Sequence, residues 1–392
     1  MFKAIFNRLN NNNYSNKLKS DLQSSIVAYK PVKSSTIADY SNLSDNGYKQ
    51  NIIVFRCVNL ISRAIGSVNW MLKKVNDDVD DVVYKHPILS LIERPNVQQS
   101  KTTFIEEAIS QLLLSGNCYI MTTRDVNDLP NELHLLRPDR VNVIPGRYTV
   151  PAGYEYTVSN HVRFFPVDAD TGASDILHIK LFNPLNDWYG MSPVEVALRS
   201  IQQHNAIAQQ NISFLQNGGR PSGALMYKHS LDPQLRQDLK QDLKTLYEGG
   251  RNAGKVMLLE GDFEWKEMGL SPKDLDFIAG KELAAKEIAL AFGVPPILIS
   301  NMNSATFANY KEARYNFWEE TILPLLNIFS NELAVWIKHI YKTDFELVYD
   351  LDSIPALVAH RESEWKKINE ATFLTNDEKR EAVGYAPLAA SV

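Results

Sequence analysis

Cysteine is nearly missing from this chain: Cys57 and Cys118 are the two in 392 residues, and each sits in an apolar stretch. That count excludes a disulfide framework, and both read as buried, reduced thiols. Long apolar runs are missing as well. No stretch reaches the roughly 18 uninterrupted apolar residues of a membrane-spanning helix. Met1–Phe6 has neither the extended apolar core nor the small-residue cleavage site of a secretory signal. The expectation is a soluble chain of the cytoplasm. There is also no basic excess: 41 Lys and Arg face 46 Asp and Glu, a formal net charge of −5. Tight nucleic-acid binding draws on Lys and Arg displacing phosphate counterions. The overall balance therefore argues against a sequence-specific DNA binder.

Signatures of catalysis are missing too. No Gly-x-x-x-x-Gly-Lys-Ser/Thr loop is present to cradle a nucleotide, which excludes an ATP-driven motor of that type. No Gly-x-Ser-x-Gly elbow, His-Glu-x-x-His helix or Cys-x-x-Cys pair occurs. His134, His161 and His178 fall in a strand-rich region, where packing is a better reading than a metal cluster. Asp168, Asp170 and Asp175 flank the Thr171-Gly172 turn without the spacing of an EF-hand loop, and read as an acidic hairpin tip. No catalytic, cofactor or metal site is indicated.

What is present is a folded protein, 44% hydrophobic and 22% charged, long enough for two or three domains. Residues 1–48, rich in Asn, Ser and Lys, read as a mobile arm. Helical spacing of apolar residues begins near Asn51, and a strand is expected over Trp70–Val75. A short helix opens at His86-Pro87, and another spans Lys101–Ser115 to a stop at Gly116. Strand signals follow at Cys118–Arg124, Glu132–Leu136, Val141–Pro145, Tyr154–Val158 and Ile176–Leu181. Ser192 caps a long helix over 193–217 with Pro193 in its first turn. Beyond it a strand at 224–228, a polar helix at 232–247 and a strand pair at 255–259 and 264–268 are expected. A helix then runs from Ser271-Pro272 to Gly293. The longest helix spans Phe307 to Lys342 and should kink at Pro324. Helices with a turn near Thr375 complete the chain. The fold class is α+β.

Several segments of this order resemble one family. They are Phe55-Arg56-Cys57-Val58-Asn59-Leu60-Ile61-Ser62, Leu114-Ser115-Gly116-Asn117-Cys118-Tyr119 and Tyr189-Gly190-Met191-Ser192-Pro193-Val194. Further along come Phe214–Gly223, Gly254–Gly261, Ile288–Pro296 and Phe373–Arg380. Together, from about 50 to 388, they resemble the portal proteins of HK97-like phages, including those of prophage and gene-transfer-agent particles. The resemblance implies a homo-oligomeric ring, a dodecamer, at one capsid vertex of a virion assembled in the host bacterial cytoplasm. It implies a passive channel for packaging and ejecting double-stranded DNA without sequence preference. It also implies docking to the large terminase subunit, the major capsid protein or scaffold, and a head–tail adaptor, with no cofactor and no membrane.

By position, residues 1–48 would be a flexible arm and 49–190 an α+β wing. Residues 191–217 would be one stem helix, 218–272 a small α/β clip and 273–299 the second stem helix. A tunnel loop at 300–306, a kinked helix at 307–350 and a short helical crown at 351–392 would follow. The loop holds Asn301, Met302, Asn303, Ser304, Ala305 and Thr306: small, polar, uncharged, and suited to touching a DNA groove without gripping phosphates. Read alone, it is better taken as a helix–helix connection on the surface, since most loops merely connect. Lys311 and Arg314 could reach phosphates or pair with Glu312 and Glu319. The strands at 224–228 and 255–259 could add to a neighbouring copy or complete an internal sheet. The amide-rich run of helix 193–217 suits close packing of repeated helices or an ordinary solvated face. The competing reading is a nuclease or other DNA-processing enzyme of a mobile element. That would need a metal-binding carboxylate cluster beside a basic groove.

Overall fold

The computed structural model describes residues 40–74, 82–83, 85–126, 129–216, 223–227, 232–242, 263–267, 277–299, 306–341 and 345–383. Regular structure starts earlier than the arm expected over 1–48 allows. Residues 40–49 are helical, with Leu43–Lys49 in π form. Leu43 and Gly47 are buried, and Tyr40 and Tyr48 pack on the core. A Cβ at Gly47 would lie 3.0 Å from Val194 Cγ1, so a bare backbone suits that crossing.

Helix α1 (Ile52–Gly66) is started by Asn51, whose side chain accepts from the amides of Ile53 and Val54. Val54, Cys57, Val58, Ile61 and Ile65 fall on one face at helical spacing and are buried. Strands β1 (Trp70–Lys74) and β2 (Val82–Val83) precede helix α2 (Pro87–Glu93). Helix α3 (Lys101–Ser115) lies against α1; Ser100 caps its start, and Gly116, at φ 74°, ends it in the left-handed conformation.

Next come β3 (Asn117–Arg124), β4 (Pro130–Leu136), β5 (Val141–Ile144), β6 (Gly153–Val158), β7 (His161–Pro166) and β8 (Ile176–Lys180). They form two antiparallel sheets, β4-β3-β8 and β5-β6-β7. β7 was not expected from the sequence, because Phe165 alone of its residues is buried and no alternation shows. β3 is covered on both sides. Cys118 and Ile120 point into the main core, and Tyr119 points into a second core with Leu136, Val143, Tyr154 and Phe165. Burial pushes the Cys57 thiol up to about 12 and the Cys118 thiol higher still, so neither ionises near neutrality.

The helix expected over 193–217 is two. A short α4 (Pro193–Val196), capped by Ser192, is broken at Ala197 from α5 (Leu198–Gln216). β9 (Gly223–Tyr227) pairs antiparallel with β10 (Phe263–Glu267), and helix α6 (Pro233–Asp242) lies between them in sequence. The strand expected at 255–259 lies outside the described residues; the described partner of 263–267 is 223–227. Helix α7 (Phe277–Ala291) packs against α5.

The longest helix is α8 (Phe307–Phe317), a π turn (Trp318–Ile322) and α9 (Leu323–Tyr341) in continuity. The π turn lies immediately before Pro324. Proline has no N–H to return to the preceding turn, and Leu323 N–H reaches back five residues to the Trp318 carbonyl. Beyond it, β11 (Phe345–Tyr349) pairs with β1, Trp70 facing Tyr349, and so ties the end of the long helix back to the start of the fold. Helices α10 (Pro355–Glu370) and α11 (Asn376–Ala382) follow, the latter with a full capping box between Thr375 and Glu378. No described helix is long and apolar enough to cross a membrane.

Gly116 and Gly190 hold the junction between α3, β3 and the loop before α4. Leu181 N–H donates to Gly116 O at 2.9 Å, and a Cβ at Gly190 would lie 2.1 Å from that same oxygen. Gly190→Ala is expected to destabilise by about 3 kcal/mol, the upper end for overpacking. Gly172, at φ 72° with nothing within 4 Å of its Cβ position, should lose about 1 kcal/mol on substitution by Ala, from backbone strain alone. Urea midpoints of the two variants check the contrast; equal losses would mean the crossing is looser than described.

Candidate functional site

Among the described residues, Arg124, Tyr154, Thr171, His178, Glu332 and His339 line a cavity of about 480 Å³ beside Trp336. Asp168 accepts from the amides of Asp170 and Thr171 and from the Thr171 hydroxyl, bonds that hold its carboxyl below the usual range. Asp175 pairs with Arg124 at 2.8 Å. His134 sits 3.0 Å from Glu132, and His161 begins β7 opposite Val158. Among the described residues no three His, Cys, Asp or Glu side chains are grouped as metal ligands.

His178 is half-buried in the wall formed by β3 and β8. Its Nε2 lies 3.0 Å from Asn117 Oδ1, which also accepts from Gly190 N–H at 2.8 Å, so Nε2 carries the proton. The ring stacks on Tyr119 with centroids 4.3 Å apart. Burial, followed by the charge of Lys180, lowers its pKa to about 3. The role is structural: a neutral imidazole joining strand to loop.

That loop, between β8 and α4, is held at several points. Lys180 Nζ donates to the Asp187 carbonyl. Asn183 Oδ1 accepts from Leu185 N–H, and Asn186 Oδ1 accepts from the amides of Trp188 and Tyr189. The Tyr189 hydroxyl donates to Asn142 Oδ1 and accepts from Val143 N–H. Phe182 and Leu185 nevertheless point outward, 84% and 92% exposed.

α5 and α7 form an antiparallel hairpin. Ser200 Oγ donates to Glu287 Oε2 at 2.6 Å, and the Cβ position of Gly280 lies 3.5 Å from Ile207 Cδ1. α5 is unusual for its length: it buries Ile201 and His204 and carries one charged side chain, Arg199. Its middle is joined to the start of the fold. Asn51 Nδ2 donates to Asn205 Oδ1 at 2.9 Å and approaches His204 Nδ1 at 3.2 Å, while Asn205 Nδ2 donates to Asn46 O. Burial, then Lys281, lowers the His204 pKa.

Of the residues proposed to face DNA, Asn301, Met302, Asn303, Ser304 and Ala305 lie outside the described residues. Thr306 caps α8, its hydroxyl accepting from Asn309 N–H at 3.3 Å. Lys311 and Arg314 are exposed, and no ion pair joins them to Glu312 or Glu319 among the described residues. With Phe307 they occupy positions i, i+4 and i+7, one face of α8. Sequence reasoning missed Phe307 and Tyr310, both exposed beside them. An aromatic i, i+3 pair directly after a helix cap was the available signal.

The described residues combine an α+β body, a helical hairpin with a nearly uncharged face and a long π-interrupted helix leading to terminal helices. The family described as phage portal protein matches residues 52–384, and the chain belongs to that family. It is 40% identical over 342 residues to an uncharacterised protein of Rickettsia bellii (strain RML369-C), covering 86% of this chain and 88% of that one. It is 24% identical over 371 residues to the portal protein of Enterobacteria phage HK97, 91% of this chain and 84% of that protein. In structure it is similar to a chain of the neck of a native gene transfer agent particle computed with C12 symmetry. There the TM-score is 0.67 at 40% identity, with 89% of this chain and 94% of that chain covered.

His178 gives the fold a pH dependence whose sign is determined. Its folded pKa lies near 3 and an unperturbed imidazole titrates at 6.5, so between these the unfolded chain binds the extra proton. Stability from this group is complete above pH 6.5 and falls as pH drops toward 3, approaching about 1.4 kcal/mol per pH unit. Unfolding free energies at pH 7.5, 6 and 5 should show a steeper acid loss in the wild type than in His178→Gln. Parallel curves would place the proton uptake elsewhere.

Proposed function

We propose that copies of this chain close into a ring around an axial bore through which double-stranded DNA is packaged into, and leaves, a phage-like or gene-transfer-agent particle. The observation that carries this reading is the likeness, at 40% identity over 89% of the chain, to a subunit of a neck computed with C12 symmetry. Twelve copies is the number that likeness favours. The ring acts as a passive conduit; packaging force comes from a terminase motor docked to it. The major capsid protein or scaffold surrounds the ring, and a head–tail adaptor replaces the motor afterwards. Assembly takes place in the bacterial cytoplasm, and the product resides at one vertex of the particle.

Within this reading 49–190 is the wing, α5 and α7 supply the stem, and the β9–β10 pair with α6 belongs to the clip. The segment 300–306 is the tunnel loop, and the terminal helices are the crown. Thr306 fixes where the loop gives way to α8, and Lys311 and Arg314 stand one and two turns from it, free of Glu312 and Glu319. They can meet phosphates briefly, while the uncharged loop limits the grip. No observation favours the nuclease alternative.

Purified full-length protein, with its capsid components present, should appear in negative stain as rings with a central opening. Folded, solitary particles without an opening would end the proposal. Deleting 301–304 should leave rings intact and reduce the nuclease-protected DNA packaged per particle. Unchanged packaging would mean DNA is contacted elsewhere.

A further inference from the structure

Resting on the ring reading, we infer that the groove between α10 and α11 binds backbone phosphates of the duplex and holds it at rest. The uncharged tunnel loop is unsuited to that task. The groove has a volume of about 690 Å³, and Trp365 forms part of its wall. Among the described residues its lining carries three cations, Lys366, Lys379 and Arg380, and no carboxylate. The chain as a whole has more acids than bases, 46 against 41, so the groove departs from the average in sign.

Helix period produces the segregation. On α11, Asn376, Lys379, Arg380 and the capping Val383 stand at i, i+3, i+4 and i+7 and face the groove. Asp377, Glu378 and Glu381 take the positions between them. Glu378 is held in the capping box, where its carboxylate accepts from the amide and hydroxyl of Thr375. Lys379 Nζ donates to the Asn369 carbonyl at 2.9 Å. That bond occupies one of its three donors and fixes the ammonium between the two helices. On α10 the Arg361 guanidinium lies 5.5 Å over the Trp365 ring, a fourth cation beside the groove.

Cations without carboxylates suit a phosphodiester. Arg361 covers one face of Trp365, so the ring is a wall and not a platform for an unstacked base. Such a site meets the backbone and carries no sequence preference. An acidic protein segment offers charge of the same sign, and position decides between the two. The Tyr315 ring of α8 stacks on His360 of α10 with centroids 4.0 Å apart. Tyr315 follows Arg314 directly, and Trp365 lies five residues beyond His360, about 7.5 Å along the helix. The groove therefore adjoins the helix whose Lys311 and Arg314 meet DNA in the ring reading. Each phosphate neutralised releases counterions and adds affinity. One basic level beside an uncharged loop slows back-slippage when no motor drives the duplex, and the loop still lets it pass.

The test follows a fluorescein-labelled duplex of about 30 base pairs on full-length protein by anisotropy, at about 50 and 200 mM NaCl. Lys366→Gln with Arg380→Gln should weaken binding to duplexes of any sequence. The factor by which affinity falls between the two salt concentrations should shrink about tenfold, as loss of two phosphate contacts requires. Lys379 is kept because it ties α11 to α10, and Lys366→Glu, at an exposed position, serves if the double variant does not fold. Unchanged affinity and salt dependence overturn the inference, and rings in the same micrographs leave the ring reading standing. Weakened binding without rings keeps the phosphate site and sinks the ring reading. Poly-glutamate bound more tightly than the duplex, and lost in the same variant, would assign the groove to an acidic protein and overturn the inference. Particles built with the double variant should fill and then lose nuclease-protected DNA faster than wild type; equal retention overturns the holding role.

Discussion

Everything in the body of this protein is arranged around one strand that has no free face. β3 alternates between two cores, Cys118 and Ile120 into one and Tyr119 into the other. A strand covered on both sides must be followed and preceded by segments that approach its backbone closely. That is the position of Gly116 and Gly190, whose backbones touch where any side chain would collide. Asn117, at the head of β3, binds both His178 and the Gly190 amide, so one buried amide group sets strand, sheet and loop together. A polar group buried at such a point is tolerated because its bonding capacity is used. The hairpin of α5 and α7 hangs from this junction through Ser192 and α4, so its direction is inherited from β3.

Local chemistry was readable in the sequence wherever it was self-contained. Lys101–Ser115 emerged with both ends correct, Gly116 marking its stop, and the turn expected near Thr375 is where the last helix begins. Elements stabilised at a distance were not readable. β11 exists because β1 supplies its hydrogen bonds from the other end of the chain. The helical turn at 40–49 was hidden because its apolar residues are scattered among Asn, Ser and Asp, and its anchors, Val194 and Asn205, lie far along the sequence. The break at Ala197 leaves no trace in composition. At the candidate site the same division holds. The amide-rich run of α5 was visible, whereas the cap at Thr306 was read only as part of a loop, and the bare leucines of α7 have the spacing of buried ones that only a folded neighbourhood tells apart.

The long helix shows how a single residue can serve two levels. Pro324 costs the helix one backbone bond. The π turn before it absorbs that loss by lengthening the register, and the helix continues without fraying. α9 packs on the core by Leu326, Phe329, Leu333 and Trp336, while α8 keeps an open face that carries Phe307, Lys311 and Arg314.

The physical demands on the charge of such a chain pull in two directions and are met together. Phosphate attraction alone favours a basic conduit, yet this chain carries a net charge of −5. Affinity for DNA grows with each phosphate neutralised, because each neutralisation releases counterions. A wall that gained free energy in that way would hold the duplex at every step, and movement would then have to break those contacts repeatedly. Nearly uncharged surfaces avoid the difficulty in two ways. Toward DNA they supply contact without retention. Toward another copy of the same chain they supply a face that can be buried without desolvating ions. The amide-rich face of α5, with one charged side chain in 19 residues, has the composition each of these tasks requires.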